Sequence, residues 1–189
     1  TQMDYVLGVS RQSALQGSAI HAAIVAKHGT ADEILQLADT ASREGRPAVA
    51  ASILESGVKA GALDKKDVTD AFLKHADTAS RKGWPDAAAS ILESAVKAGA
   101  LDKGHTDAFL KHANTASREG RSAAAASILR AAGQLHLKSG GKVGVANAQQ
   151  IVERLRSDDL KDHGHAAAAL LLDKILERKG VWRRKEKYG

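Results

Sequence analysis

ADTASREGRPAVAASILESGVKAGAL (38–63) returns as ADTASRKGWPDAAASILESAVKAGAL (76–101), and its first part returns once more as ANTASREGRSAAAASILRAAG (113–133). The offsets between copies are 38 and then 37 residues. Self-similarity at such a period marks a repeat architecture, in which each copy is one supersecondary unit that buries its apolar face against its neighbours. Within the middle copy, Phe72, Leu73, Ala76 and Ala79 recur at helical spacing and form one apolar stripe. Gly83 breaks that helix, and Pro85 falls just inside the start of the next, where a missing N–H costs nothing. Ala88, Ile91, Leu92, Ala95 and Val96 then follow the i, i+3, i+4, i+7 pattern, and Gly99 closes the unit. Each repeat therefore reads as two helices turning at Gly45, Gly83 or Gly120. Thr30 with Glu33 forms a capping box, and Thr69 and Thr106 are placed to cap the later first helices.

Working outward, both ends carry weaker copies. Ser10-Arg11, Lys27 and Gly29 match the spacing of Ser42-Arg43, Lys59 and Gly61, so residues 1–29 read as a worn repeat lacking most of its first helix. On that reading the chain is a processed or trimmed fragment, and Ala19, Ile20, Ala23 and Ile24 pack on the helix that begins near Thr30. At the other end, HGHAAAALLLDKILERKG (163–180) reads as a final second helix, preceded by a flexible connector LKSGGKVGVAN (137–147). The organisation expected is one helical-repeat domain over 1–180, with repeats at 30–67, 68–104 and 105–141 and a degenerate terminal repeat at 142–180. A basic tail, 181–189, follows. The fold class is all-α, an α-solenoid of stacked two-helix repeats.

Composition agrees. Aromatics make up 3% of the 189 residues, there are two prolines, and alanine dominates the apolar content. Alanine is the best helix former and lets helix backbones approach, whereas strands favour β-branched and aromatic residues. With no cysteine in the chain there is no disulfide framework, thiolate nucleophile or Cys-type zinc site. No apolar run reaches the roughly 20 residues of a membrane span, and no secretory signal is visible, so the compartment expected is cytoplasm or an organelle matrix.

The repeat resembles the tetratricopeptide and pentatricopeptide class of helical hairpins. Ala76 falls where a small first-helix residue stands in the tetratricopeptide pattern, Gly83 at the turn, and Ala88 and Ala95 at the two small second-helix positions. Gly83-Trp84-Pro85-Asp86-Ala87-Ala88, followed by Val96-Lys97-Ala98-Gly99, is similar to the turn and second helix of a pentatricopeptide unit. The resemblance covers roughly residues 31–133. The period departs from the 34 residues of tetratricopeptides, so the extra residues must lengthen a helix or a loop. The usual aromatic positions are mostly Ala. The resemblance implies a right-handed superhelix whose first helices line a concave binding face.

Opposite the apolar stripe, each first helix carries a polar ridge. Its members are Gln36, Asp39 and Arg43 in the first copy, Lys74, Asp77 and Arg81 in the second, and Lys111, Asn114 and Arg118 in the third. As a solvated face, the ridge holds i, i+4 pairs (Asp70–Lys74, Asp77–Arg81, Asp39–Arg43, Asp107–Lys111), each worth about 0.2–0.5 kcal/mol. As a binding face, it is a ladder of Arg and Lys for an acidic peptide or a phosphate backbone. The net charge is +6, of which residues 177–189 supply +4 and residues 105–141 supply +3, with the rest slightly acidic. Trp182, Arg183, Arg184, Lys185 and Lys187 in the tail form a second candidate partner site, either a solvated helix end or a dock for RNA or an acidic protein.

Other chemistry is thinly represented. His75 and His112 occupy a position that is Leu37 in the first copy, which favours packing over metal ligation. His163 and His165 have no third ligand at recognisable spacing. Gly141-Lys142 is followed by Val143 rather than Ser or Thr, so the phosphate-loop pattern fails. Trp84, which replaces Arg46 and Arg121 of the other copies, reads as a turn residue packing on its neighbour. The expectation is a non-enzymatic scaffold or structural subunit that binds another protein or a multi-subunit assembly, without cofactor, metal or small-molecule substrate. The second reading is a pentatricopeptide-like RNA binder of an organellar or ribonucleoprotein assembly.

Overall fold

In the computed structural model the backbone is described for residues 2–139 and 141–188, and side chains for 2–138, 141–160 and 162–177. Every regular element among the described residues is helical and none is a strand. The helices are α1 (Gln2–Leu15), α2 (Ala19–His28), α3 (Ala31–Arg43), α4 (Pro47–Lys59), α5 (Lys65–Arg81), α6 (Pro85–Lys97), α7 (Thr106–Arg118), α8 (Ser122–Ser139), α9 (Gly141–Leu155) and α10 (Lys161–Tyr188). They fall into two compact units, Thr1–Leu101 and Asp102–Gly189.

In the first unit, α1–α2, α3–α4 and α5–α6 pack as successive hairpins, with α4 also touching α2 and α6, and α3 touching α1 and α5. The hairpin turns form where the sequence breaks. Gly45 and Gly83 take φ of 79° and 71°, a left-handed conformation that glycine adopts without steric cost. The next N–H then reaches back to close each helix, Arg46 to the Ala41 carbonyl at 2.8 Å and Trp84 to that of Ala79 at 2.9 Å. Pro47 and Pro85 open the second helices. The Thr30–Glu33 capping box is made in both directions, at 3.3 and 2.9 Å. Ile34, Leu54, Phe72, Ile91 and Leu92 form the fully enclosed core, and Ala88 is fully buried among them. Ala88→Leu is therefore expected to cost about 1–3 kcal/mol by overpacking, read as a lower urea midpoint. An unchanged midpoint would mean that the second helix does not pack along this face.

Three sequence expectations are corrected here. Thr69 does not cap α5, because Asp64, accepting from the Asp67 N–H at 2.8 Å, starts the helix a turn earlier. Thr69 is buried instead and donates to the carbonyls of Lys65 and Ala100. Residues 1–29 do not lack a first helix, since α1 is 14 residues long and the shortened element is α2, at 10 residues against 13 for α4. The true register follows the turns: Gly17, with φ of 92°, is the counterpart of Gly45, so Ala22, Val25 and Ala26 match Ala50, Ile53 and Leu54, and all six are buried. The match of Ser10-Arg11 to Ser42-Arg43 was four residues out, one helical turn, which preserves helical phase and so hid the error. Consequently Ala19, Ile20 and Ala23 are exposed rather than packed near Thr30.

The second unit is organised around α8, which contacts α7, α9 and α10. The shortening of the repeat from 38 to 37 residues lies in the segment that opens it. Where α5 has its extra turn, Lys103–His105 makes a 3-10 turn capped by Asp102. Thr106 therefore does not cap α7; its hydroxyl lies 2.7 Å from the Lys103 carbonyl and 3.0 Å from His136 Nε2. His136 itself stands where Gly99 ended the previous unit. Without that glycine α8 continues to Ser139, 18 residues against 13 in α6. The stretch 137–147 is thus not a flexible connector: 137–139 belong to α8 and 141–147 to α9. Gly144 permits this junction, because a Cβ there would lie 2.2 Å from the His136 carbonyl oxygen. The last helix, α10, extends to Tyr188 and so includes the backbone of the expected tail.

Candidate functional site

The ridge begins with helices whose apolar residues are already committed. In α3 the buried positions are Ile34, Leu37, Ala38, Ala41 and Ser42, and in α5 Phe72, His75, Ala76 and Ala79 are enclosed at matching positions. Polar residues between these stripes point outward: Gln36, Arg43, Lys74 and Arg81 are exposed, and Asp39 and Asp77 are half-buried.

Packing of α3 beside α5 redirects the expected pairs. Lys74 Nζ lies 2.8 and 3.0 Å from the two carboxylate oxygens of Asp39, on the neighbouring first helix, and not on Asp70 of its own. Arg43 and Arg81 donate to Thr40 and Thr78 at 3.4 and 3.5 Å, in place of the expected aspartates. Those threonines, with Thr115, bond back to carbonyls four residues earlier in their own helices, at 2.9, 2.9 and 3.1 Å. In the second unit Lys111, Asn114 and Arg118 lie on the exposed side of α7. The ridge thus joins Asp39 to Lys74 across two repeats, a surface bond worth about 0.2–1 kcal/mol. The tail residues Trp182, Arg183, Arg184, Lys185 and Lys187 have side chains outside the described residues.

His75 sits beneath the Asp39–Lys74 pair. It is buried, and its Nε2 lies 3.6 Å from Asp39 Oδ1 without a hydrogen-bond partner. Burial pushes its pKa below the ordinary 6.5; Asp39 draws it back up and Lys74 pushes it further down. In the second unit burial, aided by Lys103, lowers His136 in the same way. A lowered folded-state pKa means that the unfolded chain takes the proton first. Stability is then full above about pH 6.5 and falls as pH drops below it, levelling off once the folded imidazole is protonated. His75→Leu, the residue of the first copy, should make the acid decline shallower in urea titrations at several pH values. A slope equal to that of wild type would show that His75 is not one of its sources.

The turns carry a second repeated function that the sequence only half disclosed. Arg46 reaches back to the preceding turn, its Nη1 donating to the Leu15 carbonyl at 2.8 Å and to Gln16 Oε1 at 3.1 Å. Trp84, the equivalent residue one unit on, lies against Gly45, and Lys82 sits 4.9 Å from its ring centroid. The same position thus ties the Gly45 turn to the Gly17 turn by hydrogen bond and the Gly83 turn to the Gly45 turn by ring packing. A cluster in the second unit went unseen because it is not repeated. Arg154 binds Asp159 at 2.8 and 3.0 Å, with Ser157 and Ser117 also donating to that carboxylate. Those bonds hold the Asp159 carboxyl far below the usual carboxylate range. They tie the segment after α9 to α7, a structural task.

Among the described residues no three His, Asp or Glu side chains are grouped to hold a metal ion. A cavity of about 160 Å³ between the α1–α2 turn and α4 is lined by Ala14, Ala22, Ala48, Val49, Ser52 and Ile53, below the roughly 300 Å³ at which small-molecule pockets begin. No described helix is long and apolar enough to cross a membrane. Comparison with protein-family models, with curated proteins and with solved structures found no match to this chain. The ridge is thus left to be weighed on its own geometry.

Proposed function

We propose that the chain is a non-enzymatic scaffold of the α-solenoid type, whose first helices present the ridge to an acidic segment of another protein. The observation that carries this reading is the recurrence of one exposed polar pattern on α3, α5 and α7 while the apolar residues of those helices are consumed by packing. Repetition suits an extended partner read by successive units; catalysis instead needs one asymmetric constellation. Arg43, Arg81 and Arg118, all exposed, supply planar donors for carboxylates.

The test is titration with Asp/Glu-rich peptides of increasing length, and separately with single-stranded RNA, over a salt series. Peptide affinity should rise with length, and Arg43→Ala, Arg81→Ala and Arg118→Ala should each weaken it, with losses that accumulate to roughly tenfold or more in the triple variant. Peptide binding that the triple variant retains in full would refute the ridge as the site. RNA binding that loses about 0.7 of salt slope per phosphate contact removed with residues 181–189 would move the function to the tail.

A further inference from the structure

Buried polar atoms are nearly always hydrogen-bonded, so one that is not asks for an explanation. His75 holds such an atom. The residue is 2% exposed, and its Nε2 lies 3.6 Å from Asp39 Oδ1, beyond hydrogen-bond distance and without another partner. The first copy has Leu37 at this position, also buried, so packing alone does not require a histidine. What the histidine adds is the capacity to gain a proton near neutral pH, and both ring nitrogens of the cation are donors.

Asp39 is the acceptor that a new donor on Nε2 would meet, and it is the same carboxylate that holds Lys74, at 2.8 and 3.0 Å. The two claims on it are unequal. Lys74 is exposed, so water replaces the carboxylate at little cost. An imidazolium at His75 is enclosed and has no such substitute. Other charges do not intervene. Of the helices packed against α5, α4 carries Glu55 and Lys59, paired with each other at 2.7 Å, α6 carries Asp86, Glu93 and Lys97, and α3 carries Asp39. Burial pushes the His75 pKa down, and the charges that act on it are Asp39, which draws it up, and Lys74, which pushes it lower. While His75 is neutral, the Asp39–Lys74 pair carries no net charge; once it is protonated, the three groups together carry one positive charge.

We infer that His75 is a proton-operated regulator of the ridge: on taking up a proton it draws Asp39 onto its Nε2 and leaves the Lys74 ammonium to the carboxylates of an acidic partner. The inference rests on the reading of the ridge as the binding face and adds its regulation. The enclosed ring needs no large movement, since Asp39 has only to close a gap of 3.6 Å to hydrogen-bond distance. The sign follows from the same geometry. Acidification below the ordinary histidine pKa strengthens binding at α3 and α5, until the partner's own carboxyls begin to protonate near pH 4. One added positive charge at contact range in solvent strengthens binding about threefold.

The experiment has two arms, both on the full chain. The first needs no partner: the histidine ring protons are titrated by nuclear magnetic resonance, and the His75 signal is the one of eight that His75→Leu removes. Its midpoint should lie below about 6.5, fall further in Asp39→Asn and rise in Lys74→Gln. A midpoint that neither variant moves overturns the inference. The second arm measures the affinity of an Asp/Glu-rich peptide at about pH 5.5 and 7.5. Protonation of the other histidines is common to both proteins, so the gain on acidification should be about threefold larger in wild type than in His75→Leu. Equal gains in the two proteins, with the peptide bound in both, overturn the regulation while leaving the ridge as the site. A peptide that binds at neither pH removes the ridge reading itself, and the inference falls with it.

Discussion

Gly144→Ala is expected to destabilise the protein by about 3 kcal/mol, while Gly8→Ala should stabilise it by about 0.5–1 kcal/mol. Both glycines lie inside helices, α9 and α1, so propensity alone would make either substitution favourable. Their surroundings separate them. A Cβ at Gly8 meets nothing within 4 Å, so only the helix gain remains. At Gly144 it would stand 2.2 Å from the carbonyl oxygen and 3.1 Å from the carbonyl carbon of His136. Those are backbone atoms inside α8 and cannot rotate aside as a side chain could. Room can come only from sliding α9 along α8, which breaks contacts throughout the second unit. Urea denaturation of the two variants beside wild type should move the midpoints in opposite directions. If both rise, α8 and α9 do not approach as described.

Phe72→Ala should cost about 3–5 kcal/mol, and Phe109→Ala a similar amount in the other unit. These are the only two phenylalanines, they hold equivalent positions on α5 and α7, and both are completely enclosed. The other apolar residues of the core are Ala, Val, Ile and Leu, and truncating a fully enclosed ring leaves a cavity that a packed interior closes only in part. Phe72→Ile, which copies Ile34 of the preceding repeat, should cost less than half as much, because that smaller residue already fits the equivalent site. Equal losses for the Ala and Ile variants would mean that the repeats do not share a packing solution at this position.

How much of this was legible follows from how each feature is encoded. The turns at Gly45, Gly83 and Gly120 were read correctly, since a left-handed residue in a short turn needs glycine and three copies display it. The second-helix stripe from Ala88 to Val96 was read residue by residue, and all five of its members are enclosed. Thr69 does not cap because that role depends on where α5 starts, and Asp64, five residues before Thr69, starts it. The ridge pairs were misread for another reason. Spacing of four within a helix is visible in sequence, but the approach of Asp39 to Lys74 is a relation between helices.

The sequence alone determined what is local and repeated: helical periodicity, helix breaks, alanine-rich contact faces and the identity of the outward polar positions. Each of these rests on the backbone geometry of a few consecutive residues, so a pattern suffices. Tertiary structure decided that Lys74 takes Asp39 as its partner, where α8 passes the point at which its counterparts stop, and that the apolar residues Met3, Val6 and Val9 of α1 are exposed. Those outcomes depend on distances between segments roughly 30 residues apart, and His136 in place of a glycine changes one of them without disturbing the local pattern. Val6 shows the division most simply. It is apolar like Ile34, its counterpart in the register of the Gly17 and Gly45 turns, yet it is 40% exposed where Ile34 is fully buried.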